Sequence, residues 1–264
     1  MSKALTYSSY LRLGELLELQ TPRSDDGDGP EHDELLFIVI HQVYELWFKQ
    51  LLHEVTAARD AMLAGRPGSA ERGRLWWAQH LLARVHVIER VLIQQVDVLE
   101  TKTPQDFLEF RQQLAPASGF QSVQFRELEF LSGAKDASYV QRFRGLTAAE
   151  QQHLEARLAE PTLWDAFVTV LGSVGLAAGG DEEITASLRT VAHDRDQYAV
   201  VWALAEALLQ HDELAANWRA RHVVMVERMI GSKSGTGGSS GSTYLRGRLP
   251  MRYYPLLWDL RSEL

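Results

Sequence analysis

The stretch that most constrains this chain is residues 33–55, DELLFIVIHQVYELWFKQLLHEV. From Leu35 to Phe48 only His41, Gln42 and Glu45 are frankly polar, and neither Gly nor Pro interrupts the run. A segment this long and this apolar suits a helix buried on most sides and is far longer than a usual strand. On such a helix Phe37, His41 and Glu45, spaced by four residues, share one face. A buried imidazole needs a hydrogen-bond partner or a ligand, because leaving a polar group unpaired costs roughly 1–3 kcal/mol. Two readings of His41 follow: a satisfied core histidine, which is the commoner case, or a histidine that shares a cavity with Phe37.

The rest of the composition narrows the class. The chain has 264 residues, enough for one large domain or two small ones, with 45% hydrophobic and 23% charged residues, as in ordinary globular proteins. The net charge of −8 comes without a basic stripe, which argues against nucleic acid and against an anionic membrane as partners. The chain contains no Cys, so disulfides, thiolate catalysis and iron–sulfur ligation are excluded. The start, MSKALTYSSYLRL, has neither the apolar stretch nor the cleavage pattern of a signal peptide. No charge-free apolar run approaches the length of a bilayer span. A cytoplasmic protein is the expectation.

Read in order, the chain gives helices throughout. Residues 5–19 form an amphipathic arm in which Tyr7, Tyr10, Leu11 and Leu13 recur at roughly helical spacing, and a polar Gly/Pro-containing loop separates it from the apolar helix. The arm packs either on a neighbouring subunit or back on its own domain. After LAGRPGS, Ser69 is a partial cap for a long bundle-type helix over residues 70–100. Thr103-Pro104-Gln105-Asp106 is a helix start with a cap, a proline at the first position and an acid for the dipole. The helix that follows, QDFLEFRQQL, breaks at APASG, and another begins in FQSVQFRELEFLSG. Thr147 with Glu150 makes a capping box, and Thr162 with Asp165 opens a helix by similar logic. Residues 172–183 form a flexible crossing. A long helix over about 186–230 is expected to break near His211-Asp212 and to stop at Gly231. Pro250 and Pro255 cut the final segment into short helices. With no β alternation and no internal repeat, the fold class is all-α, a single-domain helical bundle over 1–264 with at least five principal helices.

Several familiar sites are absent. There is no phosphate loop, no dinucleotide glycine motif and no H-E-x-x-H pair, and none of the nine His lies four residues from another. Three features remain. Phe37/His41 is the first. Phe107/Arg111 is the second: an arginine beside apolar residues, suited either to bidentate capture of a carboxylate or to a structural ion pair. The third is His222, in apolar surroundings on the last long helix, fourteen residues before Thr236 in the loop GTGGSSG. A lone histidine in such a setting is either core or an axial ligand to haem. A glycine-rich loop is either a flexible linker or a lid whose backbone approaches a ligand closely.

Together these residues resemble the tryptophan 2,3-dioxygenase family, and the likeness spans nearly the whole chain. Its most specific blocks are HDELLFIVIHQVYELWFKQLLHE, LETKTPQDFLEFRQQLAPASGFQSVQFRELEF and RHVVMVERMIGSKSGTGGSSGSTYLR, in the family's order. The resemblance implies an all-α fold enclosing one haem b (iron protoporphyrin IX) per chain. It implies a homotetramer, a dimer of dimers, and oxidative opening of the indole pyrrole ring of L-tryptophan by O2 to N-formyl-L-kynurenine. Residue by residue, it makes His222 the axial ligand to the haem iron and His41 the distal histidine that hydrogen-bonds the indole N–H. It sets Phe37 against the indole ring and pairs Arg111 with the substrate carboxylate. Thr236, in an active-site loop over 231–243, holds the amino acid's polar end, and Ser118 lies near the haem edge. It sends Tyr7 and Tyr10, on the arm within residues 1–30, into a neighbour's site. Phe107 lines the pocket where many relatives carry Tyr. The alternative within the same superfamily is a haem monooxygenase that adds one oxygen atom to tryptophan or a substituted tryptophan.

Overall fold

A computed structural model describes residues 4–25, 27, 29–65, 72–142, 145–237 and 240–264. It is a helical bundle with no strand among the described residues. Three long helices form its frame: α3 (His32–Ala64), α4 (Arg72–Leu99) and α11 (Ala199–Ile230), with α4 packed against both of the others. They are preceded by two short arm helices, α1 (Tyr7–Leu11) and α2 (Leu13–Leu16). Between α4 and α11 run α5 (Pro104–Arg111), α6 (Val123–Ser132), α7 (Ala137–Arg142), α8 (Ala148–Ala159), α9 (Leu163–Ser173) and α10 (Asp181–His193). Two short helices, α12 (Ser242–Arg246) and α13 (Pro255–Asp259), close the chain.

The apolar run is α3, and its surroundings explain its composition. Leu51, Val55, Ala58 and Met62 are fully buried against α4, α6 and α9. By length and apolarity α3 would also suffice to cross a bilayer. Here one side of it packs on three helices and another faces a cavity, which accounts for the same pattern.

Helix starts behave as the local chemistry requires. Thr103, Thr147 and Thr162 each accept from the backbone N–H three residues on, while Asp106, Glu150 and Asp165 reach back to the capping residue. Ser69 lies outside the described residues. Gly231 ends α11, as expected.

One expectation is overturned. α11 runs unbroken through His211-Asp212, and the interruption falls at residues 194–198, between α10 and α11. The polar pair does not break the helix because both side chains point inward to partners. The Asp212 carboxylate accepts from the backbone N–H groups of Tyr253 and Tyr254 and from Trp258 Nε1, at 2.8, 3.1 and 3.0 Å. It thereby fastens the C-terminal segment to the frame.

The arm is two short helices hinged at Arg12, whose φ is +53°. Tyr7 and Tyr10 are 76% and 71% exposed. The arm's end is tied to the frame, where the Gln42 amide donates to the Leu19 carbonyl and Gln20 donates to Gln42.

Candidate active site

α3, α5, α11 and the loop residues Gly235, Thr236 and Gly241 enclose one cavity with the side chains of Phe37, His41, Phe107, Arg111, His222 and Thr236 on its walls. Ser118 lines it too. Counted as space open to the centre of a water molecule, it measures about 310 Å³. Phe48, Leu99, Phe125, Met225, Val226 and Met229 supply apolar wall. Tyr7 and Tyr10 are not brought to this cavity in the single chain.

His41 and His222 approach the cavity from α3 and α11. The Nδ1–H of His41 donates to the Phe37 carbonyl one turn earlier, at 2.7 Å. Because a carbonyl only accepts, this bond places the proton on Nδ1 and leaves Nε2 as an acceptor. The Phe37 ring lies 4.0 Å from the imidazole, centroid to centroid. Burial lowers the His41 pKa, with the charge of Lys102 adding to the effect, so the ring is neutral at pH 7.

His222 sits in a different setting. Its ring stacks on Trp218, one turn earlier, at 5.1 Å and 19°. Neither of its nitrogens has a hydrogen-bond partner among the described residues. Burial, and then the proximity of His41, pushes its pKa down to about 4. A neutral imidazole without a partner on an apolar cavity wall offers the nitrogen lone pair that would hold a haem iron. With aromatic and aliphatic walls around it, the residues present fit an apolar macrocycle, which His222 would hold.

The polar side of the cavity is built from α5 and the glycine-rich loop. Arg111 Nη2 donates to the Ser234 carbonyl. Thr236 Oγ1 donates to the Ala117 carbonyl at 2.6 Å. Thr236 and Gly237 therefore lie against the 115–118 turn, where Gly237 permits the close approach, while Gly241 lets the loop fold back on Lys233. A Cβ at Gly237 would come within 2.7 Å of the Ser118 Cβ. Gly241 has φ +61°, and a Cβ there would clash with the Lys233 carbonyl.

Other acids and bases on the wall are already occupied. Glu45 accepts from Gln124 at 2.8 Å. Arg126 pairs with Glu129, which Arg248 also approaches at 3.5 Å. Lys102 is different, and sequence reasoning passed over it. It is 6% exposed, and its ammonium lies 4.7, 5.0 and 5.4 Å from the ring centroids of Phe37, Phe107 and Phe110. The available signal was a lysine directly before the Thr103 cap of a helix that carries two phenylalanines on its inner side.

Comparison with known proteins identifies the family. The family model described as tryptophan 2,3-dioxygenase matches residues 1–173 and 181–264, leaving only the α9–α10 connection unmatched. A tryptophan 2,3-dioxygenase of Nocardioides sp. is 77% identical over 98% of this chain and 95% of its own length. Those of Herpetosiphon aurantiacus and Caulobacter vibrioides are 46% and 39% identical over the full length of both chains. Similarity of this extent reaches every element that carries the cavity, and the chain belongs to the tryptophan 2,3-dioxygenase family.

Proposed function

We propose that the chain opens the pyrrole ring of L-tryptophan with O2, in a haem-dependent reaction that yields N-formyl-L-kynurenine. Family membership supports the activity. The observation that carries it to particular residues is the pair of neutral histidines, His41 and His222, on one apolar cavity beside Arg111 and Thr236. The overall change breaks the indole C2–C3 bond and gives each of these carbons one oxygen atom. Both atoms of O2 enter the product, and no external reductant is consumed.

His222 is the residue that would hold the haem iron. Haem, when bound, supplies the activation of O2. The chain's own residues bind and orient the amino acid. The proton on His41 Nδ1 leaves Nε2 free to accept from the indole N–H, which fixes the ring's rotation. Phe37 bears on the ring face. Arg111 takes the carboxylate as a charge-assisted pair, and Thr236 holds the amino acid's polar end. Ser118 and Phe107 shape the wall between them. Apolar side chains exclude water, so oriented reactants replace a solvated encounter. Tyr7 and Tyr10, exposed on the arm, would reach the site of a neighbour in a homotetramer, a dimer of dimers. We place the protein in the cytoplasm.

Reaction of the ferrous holoprotein with L-tryptophan under ¹⁸O2, followed by mass spectrometry, tests the proposal. N-formylkynurenine carrying two labelled atoms is the expected product. A product with one labelled atom, or none, overturns it.

A further inference from the structure

Lys102 is a buried cation that the roles assigned above leave unused. Among the described residues no carboxylate lies within ion-pair distance of it and no hydrogen bond engages its ammonium. The acid acting on it most strongly is Asp33, which is itself bonded to His32 at 3.0 Å. Three phenylalanine rings contact the ammonium, and Lys102 lines the cavity. Contact with ring faces steadies a cation but does not neutralise it. Burial accordingly pulls the Lys102 pKa down to about 8.

The charges around the cavity are unevenly matched. Glu129 is flanked by Arg126 and Arg248, and Glu45 is held by the Gln124 amide. Arg111 has a carbonyl partner but no acid. Arg219, also on the wall, has Asp212 at 3.9 Å, so among the described residues it is Lys102 and Arg111 that stand without a carboxylate. Phe107 joins them: its ring lies under the lysine ammonium, and it precedes Arg111 by one helical turn on α5. An excess of two positive groups beside one ring, on the Phe37 side of the cavity, is suited to an anion that arrives with the ligand.

We propose that Lys102 is a second cation for the substrate's carboxylate, a specificity-determining residue that works beside Arg111 across Phe107. The inference rests on the reading of L-tryptophan as substrate. The three rings hold the lysine in place before substrate binds, so little side-chain freedom is lost on capture. Two cations require a carboxylate on the ligand more strictly than one does, and an indole with an amine but no carboxylate is correspondingly disfavoured.

The test compares Lys102→Met and Lys102→Arg with wild type as ferrous holoprotein, titrated with L-tryptophan, indole-3-propionate and tryptamine. Binding is followed by the shift of the Soret band, and KM is measured alongside. Lys102→Met is expected to raise Kd for L-tryptophan and indole-3-propionate by roughly tenfold or more while moving that for tryptamine by less than about twofold. Lys102→Arg should recover part of the loss. Equal weakening for all three ligands overturns the proposal and makes the lysine a packing residue. Loss of haem from Lys102→Met with unchanged ligand affinity overturns it in favour of a haem carboxylate as the lysine's partner. Unchanged affinity for L-tryptophan in a fully haem-loaded variant overturns it outright. If wild type itself shows no L-tryptophan-dependent shift, the substrate assignment fails, and this inference with it.

Discussion

α11 carries two histidines eleven residues apart, His211 and His222, and they live in opposite environments. Eleven residues are about three turns and about 16 Å of helix, so both point to the same side. His211 is saturated: Nδ1 meets the Glu89 carboxylate at 2.7 Å and Nε2 meets the Ser132 hydroxyl at 2.9 Å. Burial alone would lower its pKa, but Glu89, and Asp212 behind it, outweigh that and raise it. His222 has a stacking partner and no side-chain hydrogen bond among the described residues, and burial takes its pKa down to about 4. The comparison separates what makes a buried imidazole structural from what makes it available. A ring with both nitrogens engaged locks helices together, here α11 to α4 and α6. A ring with neither engaged, beside a cavity, is open to a ligand.

Exchanging the two environments by mutation should produce opposite losses, and the largest is on the cavity side. His222→Ala should purify with its helical circular dichroism intact and haem content reduced by at least the roughly tenfold that loss of an outer-shell partner alone costs a metal site. A variant that keeps full haem occupancy would break the contrast. His211→Ala should keep the capacity to bind haem but strand the Glu89 carboxylate without its partner. Unfolding in urea should reveal a loss of roughly 3–5 kcal/mol.

Asp212→Asn keeps an acceptor but removes the charge that gathers three donors from the C-terminal segment. A loss of about 2 kcal/mol is expected, with faster amide exchange at Tyr253 and Tyr254.

The smallest effect concerns His86, which sits between α4 and α11 with Nε2–H donating to the Ala207 carbonyl at 2.9 Å. Burial, with the charge of His211 adding to it, lowers its pKa to about 4. Between that value and the ordinary 6.5 the unfolded chain binds the extra proton, so this residue's contribution is complete above pH 6.5 and is lost as pH falls towards 4. His86→Gln should flatten the acid side of the stability profile by up to about 1.4 kcal/mol per pH unit. Urea midpoints at pH 5 and pH 7 would measure it, and an unchanged slope would mean that His86 is not charged on unfolding.

Much of the helical architecture was legible in the residues themselves. Thr103, Thr147 and Thr162 open their helices because a hydroxyl and an acid three residues on satisfy the same backbone groups wherever they occur. The apolar run of α3 needed only its own periodicity and length. The exception is instructive. His211-Asp212 reads as a break when polarity is judged locally, yet α11 passes through it, because Glu89 and Ser132 lie 122 and 79 residues away in sequence and Tyr253 lies 41 away.

By itself, then, the sequence determined the apolar helix α3, the caps at Thr103, Thr147 and Thr162 and the family blocks, since these depend on contacts within one or two turns or on residue identity alone. Tertiary structure decided which histidine is saturated and which is open. It also decided that Thr236 and Gly237 meet the turn at Ala117 and Ser118, and that Lys102 stands over three aromatic rings with no carboxylate partner among the described residues. Each of these depends on whether a partner from a distant part of the chain arrives within hydrogen-bond reach, and that distance is settled only when the long helices pack.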